Sequence, residues 1–257
     1  MALIEHNNRN TTFLIAHDNK KKEQVHAAIL TVEGSKDPKY SPLKWMGADI
    51  PVDIEAATSV PDVPRQYALF TSAGRVYHVR LNLAAGRLEL IRSFDVPSIP
   101  QKADFEGFAL QRLDGILLAV WAERGLTEKP ATVFWGRIDI ATGKFSDLRT
   151  SAFKVPFPLS NVRHISDIKV DATGAVFVTA ASDPGNDGPF SSAMYYAGVL
   201  EREAKKSFVF IRSSLLTRIY RLDDHKVEAF EFIPGSDGGI AFGTDDENLG
   251  ASLFTTY

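Results

Sequence analysis

An acidic residue stands where a short apolar segment begins, and this arrangement recurs five times along the chain. The segments are Leu3-Ile4-Glu5, Asp53-Ile54-Glu55-Ala56, Asp104-Phe105-Glu106-Gly107, Ile165-Ser166-Asp167-Ile168 and Lys226-Val227-Glu228-Ala229. The acids Glu5, Glu55, Glu106, Asp167 and Glu228 are separated by 50, 51, 61 and 61 residues. Recurrence at such a spacing is the mark of a repeat architecture, in which each copy is one supersecondary unit. A second marker keeps step with the first. Each acid is followed by a strongly apolar strand, such as Ile116-Leu117-Leu118-Ala119-Val120 or Ala175-Val176-Phe177-Val178-Thr179. Each of these strands ends in a small or polar cluster, at Asp18, Ser72, Glu123, Asp183 and Asp245.

The turns fit a meander of antiparallel strands. Leu113-Asp114-Gly115, Ala172-Thr173-Gly174 and Asp237-Gly238-Gly239 separate the first and second strands of their copies. Asp-Gly and Gly-Gly supply the positive φ of tight hairpins. Ala84-Ala85-Gly86 and Ala141-Thr142-Gly143 separate third and fourth strands. Four antiparallel strands repeated radially make a β-propeller blade. The sequence therefore predicts an all-β, five-bladed β-propeller over residues 1–257, one domain, with blades at about 1–50, 51–98, 102–155, 163–222 and 225–257. The last copy offers only three strands. An open edge invites association, so the N-terminal segment is expected to pair with the last blade and the termini to close the ring. Residues 213–222 have partly helical spacing and read either as a helix or as an extension of the fourth blade's outer strand.

In a propeller the five acids are expected to line the axis near one mouth, with the second marker around it. Crowded carboxylates bind a cation, take up protons or are satisfied by hydrogen bonds. Two readings stand side by side. In one, Glu55, Glu106, Asp167 and Glu228 hold calcium or another divalent cation, since hard cations take oxygen ligands. In the other, the acids accept backbone amides of the neighbouring blade and hold the ring closed. Arg124, His164 and Asp183 fall near the same mouth as candidate ligand-binding residues. Arg124 is suited to an anionic ligand or to neutralising Glu106 and Glu123. His164 is a candidate proton shuttle or a structural histidine. Asp183-Pro184-Gly185-Asn186-Asp187-Gly188 is the most calcium-like loop but lacks EF-hand spacing. Asp245-Asp246-Glu247-Asn248 reads as a loop whose acids face water.

Other chemistry is excluded by what the chain lacks. Its 257 residues contain no cysteine, so disulfides, thiolate zinc sites and cysteine nucleophiles are out. A formal charge of −3 carries no nucleic-acid footprint. The basic run Lys20-Lys21-Lys22 reads as a solvated loop tip rather than a phosphate clamp. There is no apolar run long enough to span a membrane and no basic stretch followed by an apolar core at the N-terminus. As it stands the chain reads as cytoplasmic; a secreted protein without its leader would read the same. No G-x-S-x-G elbow, H-E-x-x-H, P-loop or dinucleotide fingerprint is present. No catalytic residue is assigned, and the expected partner is a small polar ligand or a protein.

Asp104-Phe105-Glu106-Gly107-Phe108-Ala109, followed by a hairpin and an apolar strand, resembles the D-x-E-G-(aliphatic)-A element of the SdiA-regulated family and of the family called esterase-like activity of phytase. Asp53-Ile54-Glu55-Ala56-Ala57 and Val227-Glu228-Ala229-Phe230 look like degraded copies. The resemblance implies a propeller whose central acids bind calcium, and calcium that holds substrate phosphate. It implicates Glu55, Glu106, Asp167 and Glu228. Two functions follow as expectations: a ligand- or protein-binding propeller with an acidic mouth, or a metal-dependent hydrolase of phosphate or carboxylic esters.

Overall fold

The computed structural model of the chain describes residues 1–256 except 35, 98, 100–102, 204–206 and 236–237. Asp237 of the last expected turn, and Tyr257, lie outside the described residues. The described residues form twenty strands and one short 3-10 turn, Glu247–Leu249. The first sheet holds β1 (Ala2–His6), β2 (Thr11–Ala16), β3 (Ala27–Val32) and β4 (Lys39–Pro42). The second holds β5 (Lys44–Met46), β6 (Ile54–Ser59), β7 (Gln66–Thr71), β8 (Arg75–Asn82) and β9 (Arg87–Asp95). The third holds β10 (Phe105–Leu113), β11 (Ile116–Glu123), β12 (Ala131–Asp139) and β13 (Lys144–Phe153). The fourth holds β14 (Val162–Val170), β15 (Ala175–Ser182), β16 (Ser191–Arg202) and β17 (Phe208–Asp223). The fifth holds β18 (Val227–Ile233), β19 (Gly239–Thr244) and β20 (Leu253–Thr255). Five sequential meanders of this kind define a five-bladed β-propeller.

Three details differ from the sequence reading. The segment 40–46 is not one outer strand. It changes sheets at the buried Leu43, so that Lys39–Pro42 pairs antiparallel with β3 while Lys44–Met46 runs parallel to β9. The first ladder runs on to the Leu43 amide, which donates to the Ala27 carbonyl (2.9 Å), and the Lys44 amide then donates to the Gly86 carbonyl (3.0 Å) of the second sheet. Residues 213–222 are extended as part of β17, not helical. Ala2–His6 pairs with Thr11–Leu14 inside the first sheet. The fifth sheet has three strands among the described residues, so the pairing expected between N-terminal segment and last blade is not formed.

The strands are graded from inside out. Seven of the eight residues of β11 are buried, whereas β13 is mostly exposed. A strand covered on both faces reads as a continuous apolar run, as Ile116 to Ala122 does. The Asp114-Gly115 hairpin takes positive φ at both residues, 49° and 76°, as a two-residue hairpin of matching twist requires.

The chain divides into two compact units, Met1–Phe105 with Glu231–Gly239, and Glu106–Phe230 with Ile240–Tyr257. The core of the first is built on Leu14, Ile54, Leu69, Tyr77, Val79 and Leu88. The core of the second is built on Val120, Trp135, Ile165, Ile168, Tyr195 and Phe210. Its buried aromatic groups find polar partners: Trp135 Nε1 donates to the Phe208 carbonyl (2.9 Å) and Tyr195 Oη to the Phe157 carbonyl (3.0 Å). Inside the second unit the third and fourth sheets touch through a glycine. A Cβ placed on Gly107 would stand 2.6 Å from Ile168 Cγ2 and 2.8 Å from the Ile168 nitrogen. The glycine of the Glu106-Gly107 element thus admits the neighbouring backbone.

Candidate functional site

The first strands of the sheets are not regular where the acids lie. Their registers shift between Leu3 and Glu5, between Ile54 and Ala56, and between Arg163 and Asp167. A bulge re-aims the side chains beside it. The consequence is clearest in the second unit, where β14 presents Arg163 and Asp167 to different surroundings.

Arg163 is the hub. Its Nη1 lies 3.0 Å from Glu228 Oε1 and 3.7 Å from Glu106 Oε1, and its Nη2 lies 2.5 Å from Asp183 Oδ2. Arg124 Nη1 is 3.1 Å from the same Glu106 oxygen. Lys226 Nζ is 3.3 Å from Glu228 Oε1 and bonds Glu247. Four carboxylates are therefore interleaved with two guanidinium groups and an ammonium group. The Glu106 side chain is almost wholly buried at 4% exposure. Asp183, Glu228, Arg124 and Glu247 keep between a fifth and a third of their side-chain surface open to solvent.

Burial alone would lower the pKa of Arg163, but Glu106, Glu228 and Asp183 outweigh it and hold the guanidinium above its ordinary value. Burial pushes the Glu228 carboxyl up, against the pull of Lys226 and Arg163. Burial would also raise Asp183, yet Arg163 overcomes it and holds that carboxyl below the usual range. Two acids on one guanidinium are thus shifted in opposite directions.

The other sequence-predicted residues lie elsewhere. Asp167 is buried and its carboxylate accepts the amides of Ile168 (2.8 Å) and Phe230 (3.0 Å), with Lys169 Nζ at 3.9 Å. It caps the neighbouring blade's first strand. His164 is also buried. Its Nε2 donates to the Thr127 carbonyl (2.8 Å) and its Nδ1 accepts from the Val155 amide (3.3 Å). Desolvation holds its pKa below the ordinary histidine value. Both nitrogens are committed to backbone, so His164 is a structural histidine. Glu55 is half-buried on β6 in the first unit, and Glu5 is exposed. Glu123 is paired with Lys129 at 2.6 Å.

A calcium ion needs several carboxylate and carbonyl oxygens free at once. Among the described residues no group of three or more His, Asp or Glu side chains is arranged to hold a metal ion. Three of the four residues expected as ligands have partners within the chain. Glu106 and Glu228 face Arg163, and both oxygens of Asp167 face amides. At Glu106 and Glu228 the positive charge comes from the chain's own guanidinium groups.

Lys226 and Glu247 are absent from the sequence-derived candidates. One signal for Lys226 is present: it precedes Glu228 by two residues, and positions i and i+2 of a strand share a face. Asp246 also differs from its reading as a solvated loop acid. It is buried and accepts hydrogen bonds from Lys226 N (2.7 Å), Thr244 Oγ1 (3.0 Å) and His225 Nδ1 (2.7 Å). Asp246→Asn keeps one acceptor and turns a donor toward these donors. It is expected to cost about 1–3 kcal/mol, read as a lower urea midpoint. An unchanged midpoint would show that these contacts add nothing to stability.

No protein-family model and no curated protein sequence matches the chain. Solved propeller structures do resemble it. An exo-1,5-α-L-arabinanase from a bovine ruminal metagenomic library has a TM-score of 0.55 at 9% identity, covering 99% of this chain and 91% of that one. An arabinanase of Bacillus subtilis has a TM-score of 0.48 at 11% identity, covering 98% and 91%. A periplasmic gluconolactonase of Pseudomonas aeruginosa has a TM-score of 0.46 at 14% identity, covering 95% and 81%. At 9% identity the likeness to the first of these concerns the fold alone.

Proposed function

We propose that this chain is a ligand-binding propeller whose charged cluster, around Arg163, recognises a small neutral molecule rich in hydroxyl groups. The observation that carries this reading is the interleaving of acceptors and donors. Asp183, Glu228 and Glu247 are partly open and accept when ionised, while Arg124 is partly open and only donates. A hydroxyl group does both, so neighbouring hydroxyls of one molecule match neighbouring acids and guanidinium groups. A cation or an anion would instead meet like charge on one side. The narrower family reading rests on Asp104–Ala109 and two degraded copies of it, and the charge pairing of Glu106 gives calcium and phosphate chemistry no support.

The test is a saturation-transfer NMR screen of the protein against simple sugars and polyols. At least one is expected to bind, and Asp183→Asn with Glu228→Gln is expected to weaken it tenfold or more. No binder, or equal binding to the variant, would overturn the reading. Calcium and chelator are expected to leave Tm unchanged. A calcium-dependent rise in Tm that Glu106→Gln removes would restore the cation reading.

One observation favours hydrolysis as a second reading. Glu228 and Asp183 sit on the same guanidinium, and burial favours the protonated form of the first while Arg163 keeps the second ionised, the pairing of a proton donor with a charge-stabilising carboxylate. Release of product from a ligand found in the screen, lost in Glu228→Gln, would support it.

A further inference from the structure

We propose a second binding site, in the first unit, for a small anion with an apolar body: an aromatic or acyl carboxylate. The site is a pocket of about 370 Å³ between the loop that joins β2 to β3 and the strand β5. That volume lies within the usual range for small-molecule sites, about 300–1,000 Å³. Leu43 and Leu88 are buried in its wall, with Trp45 half-buried and Met46 largely exposed beside them. Two lysines, Lys22 and Lys44, also line it. No carboxylate does among the described lining residues.

Neither lysine is drawn away by an acid, as several others are. Lys20, two residues away, lies 3.7 Å from Asp53, and Lys36, Lys129 and Lys154 each pair with a glutamate. Among the described residues Lys22 and Lys44 make no ion pair. Two flexible ammonium groups over an apolar wall fit a ligand with one anionic end and an apolar remainder. The apolar part gains by leaving water, and the anionic end stays in reach of the ammonium groups at the rim.

Both walls are built before any ligand arrives. In the loop, Asn19 Nδ2 donates to the Val25 carbonyl (2.7 Å), the Gln24 amide to the Lys21 carbonyl (3.0 Å) and the Lys21 amide to Gln24 Oε1 (2.9 Å). His26 Nε2 donates to the Lys22 carbonyl (3.2 Å), which anchors the backbone that carries the first lysine. On the other side Trp45 Nε1 donates to the Asp49 carbonyl (3.0 Å). The Asp49 carboxylate is in turn held by Arg75, Ser93 and Tyr77. Gly47 lets that turn close: a Cβ there would lie 2.9 Å from Leu90 Cβ and 3.2 Å from Trp45 Nε1. A pocket fixed in advance spends little ordering entropy on binding. The site rests on the first unit alone and is independent of the Arg163 cluster.

The probe is 1-naphthoate, with 1-naphthamide as its uncharged counterpart, titrated calorimetrically into the full chain at low salt. Naphthoate is expected to bind saturably, once per chain, and naphthamide at least tenfold more weakly. The Trp45 indole resonance is expected to shift on binding while those of the buried Trp121 and Trp135 stay in place. Lys22→Ala with Lys44→Ala is expected to lower affinity tenfold or more. Both side chains are exposed, so the fold is retained. The paired arginine substitutions are expected to keep binding. No saturable binding of naphthoate, equal affinity for naphthamide, unchanged affinity in the alanine variant, or shifts confined to the other tryptophans would overturn the proposal.

Discussion

Replacing Arg163 by methionine is expected to cost about 3–5 kcal/mol of stability at neutral pH, the usual cost of removing one partner from a buried ion pair. The side chain is 14% exposed and contacts three carboxylates, one of them Glu106 at 4%. Without the guanidinium these acids face one another with less opposing charge. Their protonation then relieves the repulsion. The sign of the pH dependence follows. In the native protein Arg163 holds Asp183 below its ordinary pKa. That contribution is present above the ordinary carboxylate range and is lost as pH falls through the lowered value. In the variant the acids bind protons more readily, so its deficit is largest near neutrality and shrinks as pH falls below about 4. Urea unfolding of both proteins from pH 3 to pH 8 measures this. A deficit that stays constant over the range would mean that the cluster's charges do not interact. Arg163→Lys keeps the charge but loses the planar fork, and is expected to fall between the two.

The repeat made the blades legible because its two markers are local. The apolar run of β11 and the Asp114-Gly115 turn carry their structure in a few adjacent residues. The strand switch at Leu43 does not, because Lys44–Met46 has no feature of its own that prefers β9 to β3; the choice is made by packing. The same limit applies to the acids. Glu106 and Asp167 occupy equivalent positions in the repeat and look alike in sequence. The strand of Asp167 carries a register shift between Arg163 and Asp167, and Asp167 meets amides where Glu106 meets arginines. Bulges arise from pairing between strands, which a single strand does not display. The i, i+2 pairs Lys226 and Glu228, and Asp167 and Lys169, were legible in principle, since strand geometry alone puts each pair on one face. They bring an ammonium group to two of the acids, Lys226 to Glu228 and Lys169 to Asp167.

Asp167→Ala is expected to cost about 2–6 kcal/mol, because two buried amides lose their acceptor at about 1–3 kcal/mol each. The amides are those of Ile168 and Phe230, and the second belongs to the neighbouring blade. The loss therefore weakens the seam between the fourth and fifth sheets as well as β14 itself. Asp167→Asn keeps the shape and one acceptor, and is expected to cost about half as much. Here the pH dependence runs opposite to that of Arg163. Burial raises the Asp167 carboxyl above its ordinary pKa, although Lys169 and the two amides pull it down. A carboxyl raised on folding contributes stability below its unfolded value and loses that contribution as pH rises through the raised one. Asparagine does not titrate, so the gap between wild type and Asp167→Asn is expected to narrow as pH rises above about 4. If the gap instead widens, the amides and Lys169 outweigh burial, and Asp167 caps the seam as a carboxylate with a lowered pKa. Unfolding free energies of wild type and Asp167→Asn at matched pH values separate the two, and Asp167→Ala shows how much of the seam depends on either form.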